Sequence, residues 1–185
     1  MRRPTAAGRD YTDRPPAFVS RMKRNLMAAA AVILVATASL AADPFNITLA
    51  TGYGAFTKQT QTSGKIETTN WIAKSPTGEA VVISMSKMPG KILDPAKLFA
   101  STRDALLKSV NGTLDSEQKV NASTHVLSFH SNSGAFLRSR LIAEDDRLYQ
   151  VLYVGHSAEQ RENPAVAAMF DSFAITNAPA QAATK

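Results

Sequence analysis

The chain has 185 residues, no cysteine, and a formal net charge of +6 from 21 Lys and Arg against 15 Asp and Glu. The absence of cysteine excludes disulfides, thiolate metal sites and thiol nucleophiles. Residues 1–42 hold seven of the basic and two of the acidic residues, which leaves 14 and 13 beyond them and a net charge of +1. A nearly neutral remainder of about 140 residues predicts one domain and argues against nucleic-acid binding through a basic surface.

Residues 22–42 have the order of parts found in a secretory signal peptide, because basic residues precede an apolar run and small residues close it. We expect cleavage after Ala41. Cleavage after Ala42 is the alternative, although it would put Leu40 where a small residue is preferred. An uncleaved membrane anchor is the competing interpretation. Residues 1–21 are interpreted as a start codon assigned too early or as an extended n-region, and the protein is expected in the periplasm or the exterior.

The first half of the remaining chain predicts three strands and one helix. Residues 45–49 alternate apolar with polar and predict an opening strand. Residues 65–74 and 79–85 are rich in β-branched side chains and are separated by a Ser-Pro-Thr-Gly turn, which predicts a hairpin. The Asp-Pro pair at 94–95 and the Asn-Gly pair at 111–112 mark the start and end of an amphipathic helix.

The second half predicts an antiparallel meander followed by a shorter helix. Its three strands are expected at residues 124–130, 136–143 and 147–154. A helix is predicted over residues 163–170, and residues 173–175 return as a short strand at a sheet edge. Residues 177–185 are Ala-rich without a core pattern and predict a disordered tail. Residues 43–176 are therefore expected to form a single domain.

The order of these elements and three segments of the C-terminal third carry a resemblance to a known family. The segments are Arg138-x-Arg140-Leu141, residues 146–153 (Asp-Arg-Leu-Tyr-Gln-Val-Leu-Tyr) and residues 170–175 (Phe-Asp-Ser-Phe-Ala-Ile). Together they resemble the PsbP-like family over about residues 45–176. The resemblance implies an α+β fold, an antiparallel β-sheet packed with helices as an α/β/α sandwich, and a role as an accessory or protein-binding module. The chain shows no photosynthetic context, so that specific role is not carried over.

The scan for catalytic, metal and phosphate motifs is negative, with no Gly-x-Ser-x-Gly, no His-Glu-x-x-His, no phosphate loop and no calcium loop. His125 and His130 lie five residues apart on one strand and should point to opposite faces. The predicted pairing places His130 and His156 in one row two strands apart, about 9–10 Å, which is too wide for shared ligation. We therefore predict no cofactor and no metal site.

A two-residue Asp-Asp turn at 145–146 would fix the register of the last hairpin. Three pairs then share one face: Arg138 with Tyr153, Arg140 with Val151, and Ile142 with Tyr149. Two Arg beside two Tyr are typical of protein interfaces and can bind a carboxylate or stack on a ring. The alternative is a polar face on which Arg stems cover Tyr rings. Arg138, Arg140, Tyr149 and Tyr153 are therefore the candidate binding residues.

The sequence favours an exported, non-enzymatic binding or accessory protein whose partner is another cell-envelope protein or component. It predicts no nucleic-acid binding and no membrane span after signal cleavage, and it leaves the partner and the oligomeric state open. A hydrolase with an unrecognised active site is the alternative, and a structural protein held at the membrane by an uncleaved signal is a third possibility. A deep pocket with convergent His, Asp and Ser would favour the hydrolase, whereas a shallow patch would favour binding.

Overall fold

The computed structural model describes residues 43–176, so the predicted signal peptide at 22–42, the segment 1–21 and the tail 177–185 lie outside the described residues. The strands are β1 (Phe45–Asn46), β2 (Thr57–Ser63), β3 (Ile66–Lys74), β4 (Ala80–Lys87), β5 (Gly112–Asn121), β6 (Thr124–Ser131), β7 (Phe136–Glu144), β8 (Arg147–Gly155) and β9 (Ala174–Ile175). The helices are α1 (Pro95–Val110), α2 (Ala158–Arg161) and α3 (Pro164–Asp171).

Seven of these strands form one antiparallel sheet in the order β2-β3-β4-β8-β7-β6-β5. The predicted hairpin of β3 and β4 and the predicted meander of β6, β7 and β8 are confirmed. The short β1 and β9 pair with each other, with Phe45 opposite Ile175. Strands β2 and β5 are the two edges of the main sheet, and neither was predicted.

Helix α1 follows the predicted boundaries because both of its ends are capped. The Asp94 carboxylate accepts a hydrogen bond from the Lys97 backbone N–H, and Pro95 occupies the first helical position. Asn111 ends the helix in the left-handed conformation, with φ 48°. None of the helices within residues 43–176 is both long and apolar enough to span a bilayer.

Both faces of the main sheet are apolar over part of their area. The α3 face is defined by a buried cluster that α3 joins: Phe45, Trp71, Val81, Ile83, Tyr149, Val151, Tyr153, Val166, Met169, Phe170 and Phe173. The α1 face is defined by a second cluster on the opposite side: Phe99, Leu127, Phe129, Leu137, Leu141, Ala143 and Leu148. Phe99 is the buried residue of α1, and four partly buried side chains of the same helix pack against this cluster: Leu98, Leu106, Leu107 and Val110.

The predicted fold class, an α+β PsbP-like α/β/α sandwich packed with helices, is wrong. Strands account for 48% of the described residues and helices for 21%, and only α1 and α3 are longer than one turn. The fold is therefore dominated by its antiparallel sheet. The error arises from β2 and β5, because their side chains are mostly exposed and lack the apolar alternation that identifies a strand.

Candidate binding site

The structure confirms the predicted register of the β7–β8 hairpin. Arg138 lies opposite Tyr153, and Ile142 lies opposite Tyr149. The two tyrosines, however, are each only 1% exposed, because α3 packs over this part of the sheet. Of the four candidate binding residues, Tyr149 and Tyr153 belong to the core, whereas Arg138 and Arg140 are half-buried at its margin.

The two arginines are held in different ways against α3. Arg140 Nη1 donates a hydrogen bond of 2.8 Å to the Phe170 carbonyl in the last turn of α3, and the Phe173 backbone N–H donates to the same oxygen at 3.3 Å. The Arg138 guanidinium lies 5.4 Å from the centre of the Phe170 ring. Its nearest carboxylate is Glu162, at 3.9 Å from Nη1. Arg138 is thus positioned by packing more than by an ion pair.

Both arginines carry an N–H group that lacks an acceptor among the described residues. The Nε atoms of Arg138 and Arg140 are buried and make no hydrogen bond. A buried donor without a partner is costly, so such groups are uncommon in folded proteins. The Arg138 side chain is nevertheless 23% exposed, so part of it reaches solvent.

A chain of ion pairs extends from Arg138 along the same face. Arg161 is only 8% exposed, and its Nε donates to Glu162 at 2.8 Å. Arg161 Nη1 donates to the Phe129 carbonyl at 3.2 Å and to Asp115 Oδ2. The other oxygen of Asp115 is hydrogen-bonded to His130 Nδ1 at 2.6 Å. We call the set His130, Asp115, Arg161, Glu162 and Arg138 the arginine network.

Local backbone features explain how these side chains meet. The register of β5 shifts between Leu114 and Ser116. This bulge turns the Asp115 side chain towards Arg161. Arg161 ends the one-turn helix α2, which begins at the N-cap Ser157. The Ser157-x-x-Gln160 spacing is a recognised helix-start signal, so α2 was detectable in the sequence, whereas the partners of Arg161 were not.

The electrostatics of the network favour an ionised Asp115. Burial by itself would raise the pKa of this carboxyl, but hydrogen bonds from Arg161 and His130 outweigh burial and lower the pKa below its usual value. With Arg140, which donates to the Phe170 carbonyl, the site has three guanidinium groups and two carboxylates, Asp115 and Glu162. These five groups together carry a net charge of +1.

The histidines are on opposite faces, as predicted. His125 is buried on the α1 face, where its ring lies 4.6 Å from the Phe99 ring and its Nδ1 lies 3.0 Å from Glu117. His130 joins the arginine network instead. Burial alone would raise the pKa of Glu117, but hydrogen bonds from Arg103 and His125 lower it.

The prediction that His130 and His156 lie in one row across the sheet is wrong by one residue. His130 pairs with Phe136, and Phe136 pairs with Gly155, so five residues separate His130 from its partner on β7, and not the expected four. No three His, Asp or Glu side chains within residues 43–176 are placed to hold a metal ion.

A concave region of about 420 Å³ lies elsewhere, at the tip of the β2–β3 hairpin. Its lining includes Lys65, Glu67, Lys87 and Asp146, charges of both signs, and no histidine or serine. It does not have the convergent His, Asp and Ser that would mark a hydrolase pocket. The arginine network is therefore the stronger candidate site.

Comparisons with protein-family models, curated proteins and solved structures found no match for this chain. The resemblance to the PsbP-like family stays a prediction, and the function is argued from the site alone.

Proposed function

We propose that this protein is an exported, non-enzymatic binding module that recognises a carboxylate of another cell-envelope protein through Arg138. The observation that carries the proposal is the unused hydrogen-bonding capacity of this side chain. Its Nη1 lies 3.9 Å from the closest carboxylate, Glu162, which is beyond hydrogen-bond distance. The Nε is buried, so a ligand would reach this guanidinium through its Nη atoms. A guanidinium offers five N–H donors in a fixed plane, which matches the two oxygens of a carboxylate.

The surroundings of Arg138 favour such a ligand. The Phe170 ring beneath the guanidinium restricts its orientation before a ligand arrives, which lowers the entropic cost of binding. Arg140 lies two residues along the same strand face and adds positive potential. Glu162 is 54% exposed, so an incoming carboxylate can displace it from Arg138 at little cost.

The test compares two variants that lose the same charge. Arg138→Gln removes the proposed donor, whereas Lys91→Gln removes an exposed positive charge from a loop outside the network. We expect Arg138→Gln to reduce capture of a partner from the native envelope fraction at least tenfold, and Lys91→Gln to leave it unchanged. Equal capture by the wild-type protein and Arg138→Gln, with both folded by circular dichroism, would refute the proposal.

Export is tested separately by mass spectrometry of the protein purified from its native envelope. Our proposal expects a mature chain that begins at Ala42 or Asp43. A chain that retains residues 22–42 would instead support the interpretation as a membrane anchor.

One observation favours the second candidate, a hydrolase. The Asp115 and His130 side chains form a pair in which the carboxylate orients the imidazole, as in a catalytic triad. The same carboxylate also accepts from Arg161, however, which ties it to the arginine network. Hydrolysis of a panel of esters and peptides that falls at least a hundredfold in His130→Gln, but persists in Arg138→Gln, would favour this candidate over a binding module.

A further inference from the structure

The two edges of the main sheet are built differently. The edge strand β5 is interrupted by register shifts at Leu114/Ser116 and at Lys119/Asn121. It also carries charges, among them Asp115 and Glu117. Bulges and charges are the usual features that prevent an edge strand from pairing with another chain. The β5 edge is therefore protected.

The β2 edge has neither form of protection over most of its length. Its seven residues pair with β3 without interruption, from Thr57 opposite Ile72 to Ser63 opposite Ile66. All seven side chains are exposed, and Lys58 is the only charged one. An uninterrupted edge of this kind presents a row of backbone donors and acceptors to a further strand.

The turn of the hairpin defines which backbone groups face outward. Ser63 and Ile66 flank the two-residue turn of Gly64 and Lys65 and so exchange both backbone hydrogen bonds. Because these bonds alternate along an antiparallel pair, the N–H and C=O groups of β2 that point away from β3, and that have no strand partner within residues 43–176, belong to its even-numbered residues. These residues are Lys58, Thr60 and Thr62.

We propose that β2 pairs antiparallel with β2 of a second copy of this chain, with the two-fold axis at Thr60. This register places Thr60 opposite its own equivalent and Lys58 opposite Thr62 of the second copy. All three outward-facing residues then exchange hydrogen bonds across the interface. The Thr60-centred axis is the register that uses every free backbone group of the strand.

The charges fit this register. Glu67 lies opposite Thr62 on β3, so Lys58 of one copy and Glu67 of the other fall in one cross-strand row, with backbones about 10 Å apart. The symmetry produces this pair twice. The two Lys58 residues are four positions apart along the strands, about 14 Å, so they do not repel strongly. Within a single copy, Lys58 makes an exposed ion pair with Asp43 at 3.6 Å, and its Nζ lies 5.1 Å from the centre of the Trp71 ring.

Pairing through β2 produces a closed dimer. Each copy uses the unprotected edge of its seven-stranded sheet, and the outer edges of the joined sheet are then the two protected β5 strands. A two-fold interface between identical strands leaves no further edge for growth into a filament. This proposal rests on the sheet edge and is independent of the arginine network.

Engineered cysteines test the axis directly, because the chain has no cysteine of its own. Hydrogen-bonded partners in an antiparallel pair have Cα atoms about 5.5 Å apart, a distance compatible with a disulfide. Under mild oxidation we expect Thr60→Cys to form a covalent dimer and Thr113→Cys, on the β5 edge, to remain monomeric. Absence of the Thr60→Cys dimer, or equal cross-linking at both edges, would overturn the proposal.

Charge variants give a second test by light scattering and sedimentation velocity over a range of concentrations. Thr60→Lys places two like charges on the axis and should raise the dimer dissociation constant at least tenfold, as should Thr60→Glu. An equimolar mixture of the two should restore the dimer, and Thr113→Lys should have no effect. A wild-type protein that is monomeric at every concentration, or a Thr60→Lys variant that dimerises normally while folded, would contradict the β2 interface.

Discussion

Replacing Arg161 with Met tests whether this residue holds the arginine network together. Arg161 is buried and donates to the Phe129 carbonyl, to Asp115 and to Glu162. Removing one partner of a fully buried ion pair costs about 3–5 kcal/mol. Because the Asp115 side chain is 28% exposed and water can solvate part of it, we expect a loss of about 2–3 kcal/mol in the free energy of unfolding.

For a domain of this size, the loss corresponds to a fall in Tm of roughly 6–12 °C. Urea denaturation and thermal melting, both followed by circular dichroism, measure it. Arg138→Met is the matched control, because Arg138 is less buried and its carboxylate is 3.9 Å away, so it should cost less than about 1 kcal/mol. An Arg161→Met variant as stable as the wild type, or equal losses in both variants, would refute this account of the network.

Three further changes test the pH dependence and the packing. The pKa of Asp115 is lowered in the folded state, so its stabilising contribution is present above the usual carboxyl pKa near 4 and is lost as pH falls. Asp115→Asn should therefore show a smaller loss of stability on acidification than the wild type in urea titrations below about pH 4; identical pH profiles would contradict this. Gly78→Ala should lower the free energy of unfolding by about 1–2 kcal/mol, because φ at this position is +93° and the new Cβ would lie 3.1 Å from His156 Nε2. Gly90→Ala should be nearly neutral in the same thermal melts. Phe99→Ala should lower the free energy of unfolding by about 3–5 kcal/mol, because Phe99 is the buried side chain of α1 in the cluster on the sheet. A loss below 1 kcal/mol would show that α1 is not anchored there.

Local signals in the sequence were sufficient for the elements whose ends are fixed by their own residues. Helix α1 begins at Asp94 and Pro95 because a carboxylate cap and a proline both act within one turn. The β7–β8 register follows from a two-residue turn and therefore placed Arg138 opposite Tyr153 correctly. The edge strand β2 was missed because exposed polar side chains on both faces leave no apolar period.

The site was predicted only in part because its remaining contacts are distant in sequence. Alternation along β7 placed Arg138 and Arg140 on one face, but it could not show that α3 would bury Tyr149 on that face. The contact of Arg161 with Asp115 spans 46 residues and depends on a bulge in a strand that was not predicted. Such a contact is set by tertiary packing, which single-sequence patterns do not encode.

The central claim, that Arg138 binds a carboxylate, is tested most directly by the NMR signal of its Nε–H group. The wild-type protein is titrated with a short peptide containing Glu and, separately, with the same peptide containing Gln, and Arg138→Gln assigns the signal. We predict a saturable shift of the Arg138 Nε–H resonance with the Glu peptide and none with the Gln peptide. An unchanged resonance with both peptides, or the same shift with both, would contradict the claim.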